Sequence, residues 1–305
     1  MSYQNPLLIC VVGPTAIGKT KLSLIIAETF SSEILSADSR QFFKEMTIGT
    51  AIPSAEELAV VRHHFIQNRS IFEDYSVGDF EKDAIELLDE LFVKHKIIVM
   101  VGGSGLYVDA VTKGLDKIPE VPSDIREILN SQYESFGIGP LQKELEKVDP
   151  DYFSKVDIRN HRRLIRALEI YRGTGKPFSH FLNNTSEERN FHTLFIGLTA
   201  DREIIYDHIN RRVDLMVEAG LVEEARKLFG HRDLNALQTV GYRELFQYFE
   251  GNTTLEEAIS EIKKNTRRFA KRQITWFKKN EAIHWFDYTT DPTEITRFIK
   301  TKNAQ

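Results

Sequence analysis

The sequence predicts an α/β protein with a mainly parallel sheet, and three observations carry that prediction. Leu7 to Val12 is a short unbroken apolar run that stops at Gly-Pro, as a buried strand does, and Lys21 to Phe30 follows with apolar residues at helical spacing. Two more strand-like runs, Glu33 to Ala37 and Ile97 to Val101, are separated by the amphipathic period of Phe80 to Lys94. Such alternation builds a sheet covered on both faces, with ligands expected outside the carboxyl ends of its strands. After Gly114 the pattern changes: Pro119, Pro122, Pro140, Pro150 and Pro177 punctuate helical segments, and no strand reads clearly until Phe191 to Leu198.

The first turn between strand and helix is the most informative stretch. Gly13-Pro14-Thr15-Ala16-Ile17-Gly18-Lys19-Thr20 matches G-x-x-x-x-G-K-[ST], whose glycines let successive backbone N–H groups face one anion. The helix that follows adds its positive N-terminal end, Lys19 a mobile cation, and Thr20 a hydroxyl able to ligate Mg²⁺ on phosphate oxygens. The fold expected is therefore a P-loop NTPase-like parallel sheet core (1–113 and 191–305), with a helical insertion domain (114–190) and a helical C-terminal region ending near a short Ile283 to Phe286 segment. A triphosphatase of this type ends another strand in a magnesium-holding Asp. Here Ile97 to Val101 runs into Gly102-Gly103-Ser104-Gly105 and has no such acid. Asp38 ends a different strand, which suits either work on a second substrate or a plain turn or N-cap aspartate. A transferase that grips a diphosphate thus fits better than a switch.

Composition sets outer limits. With 305 residues, 41% hydrophobic and 28% charged, the chain has the makeup of a folded globular protein. The single cysteine, Cys10, cannot build an intrachain disulfide framework, which points to a reducing cytoplasm. No apolar run nears the roughly 20 residues of a membrane span, and no signal-type segment opens the chain. The net charge is −5, yet Ala258 to Lys279 alone carries +7, leaving −12 on the rest. In that stretch Ile259, Ile262, Phe269 and Trp276 fall near one helical stripe, while Lys264, Arg268, Lys271 and Arg272 project elsewhere. A basic helix of this kind is either a solvated face or an RNA-binding one. A second cluster, Arg159, Arg162, Arg163 and Arg166, lies in the insertion, with Leu164, Leu168 and Tyr171 able to face inward. Two clusters suit an RNA partner. His63-His64 lacks the neighbours of a metal site, and Trp276 and Trp285 read as core.

Taken in order, several blocks resemble the tRNA dimethylallyltransferase family, also called tRNA isopentenyltransferase, over nearly the whole chain. They are the glycine loop, Asp38-Ser39-Arg40-Gln41, Ile48-Gly49-Thr50-Ala51, Val101-Gly102-Gly103-Ser104-Gly105-Leu106-Tyr107 and Arg163-Leu164-Ile165-Arg166-Ala167-Leu168-Glu169. Gln238-Thr239-Val240-Gly241-Tyr242-Arg243-Glu244 and Ala270-Lys271-Arg272-Gln273-Ile274-Thr275-Trp276-Phe277 complete the set. The resemblance implies transfer of a dimethylallyl group from dimethylallyl diphosphate to N6 of the adenosine just 3′ of a tRNA anticodon (position 37), with Mg²⁺ as cofactor. It also implies that Gly13 to Thr20 hold the diphosphate and that Asp38, Lys19, Thr20 and Arg212 carry catalysis. The anticodon stem-loop would meet Asp38, Ser39, Arg40, Gln41, Ser104, Arg126, Arg162, Arg163, Leu164, Ile165, Arg166, Gln238, Thr239, Val240, Gly241, Tyr242 and Arg243, with Lys271 and Arg272 from the basic helix. The chain departs from the family pattern at Phe42-Phe43, Ile52 and Gln67. Each site can be completed within one chain, so a monomer is expected. A P-loop kinase for a small metabolite or nucleotide, and an RNA-binding protein with a relic loop, are the competing readings.

Overall fold

The computed structural model describes residues 6–182 and 188–303. Two compact units result: 1–112 together with 189–305, and 113–188.

The larger unit is built on six parallel strands, β1 (Leu7–Val12), β2 (Ile34–Ser36), β3 (His63–His64), β4 (Ile97–Val101), β5 (His192–Thr199) and β6 (Ile283–Asp287). Their spatial order is β3-β2-β4-β1-β5-β6. β1 lies between β4 and β5, with Leu7 opposite both Ile97 and His192. The chain leaves β1 towards β2 and β4 on one side and returns later to β5 on the other. The loop after β1 therefore opens at the switch point, where parallel sheets leave a crevice beyond their carboxyl ends. All six residues of β1 are buried, as an unbroken apolar run at the centre of a doubly covered sheet must be.

In chain order the helices are α1 (Lys19–Thr29), α2 (Ala55–Val60), α3 (Val77–Lys94), α4 (Gly105–Lys113), α5 (Ser123–Phe136), α6 (Gly139–Val148), α7 (Pro150–Phe153), α8 (His161–Thr174), α9 (Arg202–Glu218), α10 (Leu221–Leu228), α11 (Tyr242–Phe249), α12 (Leu255–Phe277) and α13 (Pro292–Asn303). The two sheet faces have separate cores. Leu22, Ile26, Ile205 and Ile209 pack on Ile9 and Val11, while Phe80, Leu88 and Val108 pack on Leu8 and Cys10 from the other side. A third core, centred on Tyr242, Leu221 and Ile262, ties α10, α11 and α12 together. Helix α12 starts in a capping box: Thr254 accepts from the Glu257 N–H while Glu257 reaches back to the Thr254 N–H.

In the smaller unit α5 and α6 pack on α8, burying Leu129, Leu141, Leu145, Leu164 and Leu168. Buried Asp149 ties its loops by accepting from the N–H groups of Tyr152 (3.1 Å) and Ser179 (2.8 Å).

Two elements differ from the sequence expectation. His63-His64 forms the edge strand β3, too short to carry a hydrophobic pattern. On α12 the buried stripe is Ala258, Ile262, Ala270, Gln273 and Phe277, so the helix is rotated from the expected stripe. Phe269 and Trp276 lie at its margin, 36% and 40% exposed, and the Trp276 indole donates to Asp109 (2.8 Å). Trp276 is thus not a core residue; a neighbouring carboxylate satisfies its N–H at the surface.

Candidate active site

The glycine loop needs conformations that few residues accept. Gly18, at φ 101°, caps α1 in the left-handed region, and Ala16 sits there too at φ 63°. Pro14 and Ile17 are buried, Ile17 within the sheet core, so these two anchor the loop rather than face a ligand. Lys19 folds back over the loop and donates to the Pro14 carbonyl (2.8 Å). Burial of its ammonium, with repulsion from Arg212 and against attraction from Asp38, pushes its pKa down to about 7. A lysine drawn back onto its own loop, with a second cation alongside, is short of negative charge. Arg212, from α9, donates to the Thr15 hydroxyl (3.3 Å) and is itself partly buried, and the desolvation lowers its pKa.

Helix α12 reaches this loop from far along the chain. The buried Gln273 amide accepts from the Thr15 N–H (2.8 Å) and donates to the Gly103 carbonyl (2.9 Å).

Two cavities meet at Asp38. One is lined by Thr15 to Lys21, Glu57, His63 and Arg212; the other by Ser39, Arg40, Ser104, Gln238, Arg243, Phe269 and Arg272. Thr15, Asp38, Thr50, Ala51 and Arg212 line both. The second also has an apolar wall of Ile209, Val213, Met216 and Leu221. Asp38 takes part in a local turn, its Oδ1 accepting from the Arg40 N–H (3.1 Å). The turn reading of this residue is therefore realised alongside its place in the cleft, since a carboxylate has capacity for more than one donor.

The remaining expected RNA contacts divide. Ser39, Arg40, Ser104, Gln238, Thr239, Val240, Gly241 and Arg243 line the second cavity with Asp38, although Arg40 is also tied to the Asn235 (3.2 Å) and Ala236 (3.0 Å) carbonyls. Gln41 lines the first instead, and its amide donates to the Ala51 carbonyl (3.1 Å). Arg268, Lys271 and Arg272 are exposed on α12, whereas Lys264 pairs with Glu261 (2.7 Å).

Tyr242 is a correction. It is fully buried and donates to Glu224 (2.7 Å), because α11 packs that face into the third core. Leu164 and Ile165 are corrections of the same kind: helical spacing turns both into the core of the smaller unit, leaving Arg162 and Arg163 exposed on α8. Arg126 is half exposed; its Nε (3.1 Å) and Nη2 (2.7 Å) both donate to buried Glu169, which Arg166 also approaches at 3.3 Å. Sequence reasoning assigned no task to Glu169, Glu224 or Gln273. A charged or amide side chain on an otherwise apolar stripe was the available signal for Glu169 and Gln273.

The family departures have a place too. Phe42 is buried among Phe65, Tyr75, Phe80 and Tyr107, Gln67 donates to the Thr47 hydroxyl (2.8 Å), and Ile52 lines the phosphate-loop cavity.

The model of the IPP transferase family matches residues 41–280. The chain belongs to this family. It is 61% identical over 295 residues to a tRNA dimethylallyltransferase of Christiangramia forsetii, covering 97% of this chain and 98% of that protein. A Flavobacterium psychrophilum protein of the same name is 58% identical over 301 residues, covering 97% and 98%. Among solved structures, the tRNA isopentenylpyrophosphate transferase of Bacillus halodurans superposes with a TM-score of 0.73 at 40% identity, covering 98% of this chain and 97% of that one. A eukaryotic dimethylallyltransferase described as acting on tRNA gives 0.80 at 27% identity, over 94% and 75%.

Proposed function

We propose that this chain transfers the dimethylallyl group of dimethylallyl diphosphate to N6 of adenosine 37, next to the anticodon, in tRNAs that read codons beginning with U. The observation that carries this reading is the meeting of two unlike cavities at Asp38 and Arg212, one walled by the phosphate loop and the other by arginines and an aromatic ring. A diphosphate fits the first and a base the second, with the reacting atoms between them. Family membership supports the same reading, and the kinase alternative leaves the separate basic clusters of α8 and α12 without a use.

In the reaction the donor C1–O bond breaks, an N6–C1 bond forms, and one N6 proton leaves. Ionisation of an allylic diphosphate is assisted mainly by stabilising charge on the departing group. The loop N–H groups, Lys19 and Arg212 supply that, and the five-carbon group lies along Ile209, Val213, Met216 and Leu221. Asp38 accepts from the amine, orienting it and drawing off its proton. The base must leave its stack to enter, at a cost of a few kcal/mol, which phosphate contacts along the stem offset.

Mg²⁺ fits the donor set. Among the described residues no cluster of three or more His, Cys, Asp or Glu could hold a metal ion. Magnesium keeps several waters and leans on substrate phosphate oxygens, so the Thr20 hydroxyl would hold it together with a bound diphosphate. When bound, the ion neutralises charge on the leaving diphosphate. The exposed Arg162 and Arg163 of the smaller unit, with Arg126, Arg166, Lys271 and Arg272, add contacts to the RNA backbone. Among the described residues no helix is long and apolar enough to cross a membrane. The single thiol, Cys10, is buried and suits a reducing cytoplasm, and because each proposed site is completed within one chain the protein is proposed to act as a monomer.

The test is label transfer from dimethylallyl diphosphate to an unmodified tRNA with the target adenosine, with Mg²⁺ and without ATP. Label on that adenosine is the expected result. No label, with ATP-dependent phosphorylation of a small metabolite, would overturn the reading.

A further inference from the structure

Helix α10 sends one carboxylate into the loop between Met46 and Ala51. Glu224 Oε2 accepts from the N–H groups of Thr47 (3.0 Å) and Ile48 (2.8 Å), while Oε1 accepts from the Gly49 N–H (2.9 Å) and the Tyr242 hydroxyl (2.7 Å). Four donors converge on one acceptor-only group, a demanding arrangement to assemble outside regular structure. Tyr242 lies directly under the loop: a Cβ at Gly49 would stand 2.5 Å from its ring, so only glycine allows this approach. Burial and the adjacent Glu224 carboxylate hold the tyrosine hydroxyl strongly protonated, as a donor to that carboxylate must be.

What the grip holds is a wall of the cleft. Thr50 and Ala51, next along the loop, line both cavities. Their carbonyls accept from the Gln41 amide at 3.4 and 3.1 Å, Gln41 Oε1 accepts from the Ser36 hydroxyl (2.9 Å), and Ser36 Oγ accepts from the Asp38 N–H (3.3 Å). A continuous series of hydrogen bonds thus runs from α10, through the 47–51 backbone, to Asp38.

We propose that Glu224, seated by Tyr242, is a positioning residue that sets the 47–51 wall and, through Gln41 and Ser36, the placement of Asp38 against the acceptor amine. It touches no reacting atom. The proposal rests on the transferase reading above.

Three variants test it: Glu224→Gln, Glu224→Asp and Tyr242→Phe. Transfer of label to tRNA is measured with them, together with calorimetric binding of inorganic pyrophosphate in the presence of Mg²⁺. Glu224→Gln turns one oxygen into a donor facing N–H groups, so its kcat should fall roughly 10- to 100-fold, as small misplacements of reacting groups do. Pyrophosphate affinity, which depends on the glycine loop, should stay within about 2-fold, because that loop is held by other contacts. Glu224→Asp keeps four acceptor sites and should regain part of the rate, and Tyr242→Phe, losing one bond of four, should fall only about 3- to 5-fold. An unimpaired Glu224→Gln, or one that loses pyrophosphate binding and turnover in parallel, overturns the proposal while an active wild type leaves the function intact. A wild type that transfers no label overturns both.

Discussion

Gln273 and Thr15 stand 258 residues apart in the chain and are joined by a 2.8 Å hydrogen bond from the Thr15 N–H to the Gln273 side chain. The other end of the same amide holds Gly103, so one residue of α12 sets the spacing between the phosphate loop and the turn after β4. That turn carries Ser104, whose hydroxyl donates to Ser39 (3.3 Å). Because Lys271 and Arg272 precede Gln273 on the helix, the exposed basic face of α12 and the glycine loop are joined through one residue.

Gln273→Ala leaves the buried Gly103 carbonyl and the partly buried Thr15 N–H without this partner, a loss of roughly 1–3 kcal/mol for the buried group and less for the other. The midpoint of urea unfolding should drop accordingly, and the KM for the diphosphate donor should rise more than that for tRNA. Equal donor KM values in variant and wild type would remove Gln273 from the site.

Lys19 makes a pH prediction. Its folded pKa lies near 7, below the usual lysine value of 10.5, so the unfolded chain binds more protons between those limits. Stability then rises with pH across that window, and the cost of the buried ammonium is felt in full below about pH 7. Lys19→Met should lack this slope when unfolding is followed from pH 6 to 9. Pyrophosphate restores a partner for the ammonium, so its binding at pH 8 should take up protons in a calorimeter run in two buffers of different ionisation enthalpy.

Asp38→Asn preserves the turn contact to the Arg40 N–H through its amide oxygen but removes the proton acceptor. Turnover should fall about 10²-fold or more, with tRNA affinity changed only slightly. A rate within about 2-fold of wild type would show that orientation alone, which the amide retains, is enough.

The exposed arginines of α8 act through charge. Arg162→Ala and Arg163→Ala should each weaken tRNA binding and lower the slope of log K against log salt by about 0.7 to 0.9. Glu169→Ala should weaken binding as well, because it releases both Arg126 and Arg166. A Glu169→Ala variant that binds normally would show that these guanidinium groups need no fixing.

Most of what the sequence determined by itself is local. The Gly13 to Thr20 loop, the strand before it and the helix after it are legible because the anion grip proposed for them resides in backbone N–H groups and in one conformation that neighbouring residues specify. The parallel sheet follows from apolar runs too short for helices, and the inward turn of Leu164 and Leu168 from a period of 3.6. Spacing was a poorer guide on α12, where Phe269 and Trp276 share a stripe with Ile262 yet stand at the margin of the buried face. How far a helix is rotated onto its neighbours depends on the whole packed surface, not on its own period. The contacts that frame the cleft belong wholly to tertiary structure: Arg212 and Gln273 on Thr15, Glu224 on Thr47 to Gly49, and the burial of Tyr242. Each joins residues more than 170 positions apart except the Tyr242–Glu224 pair, itself between two helices. No local pattern encodes such a pairing, because a side-chain hydrogen bond depends on where two distant backbones come to rest, and packing decides that only when the chain is folded.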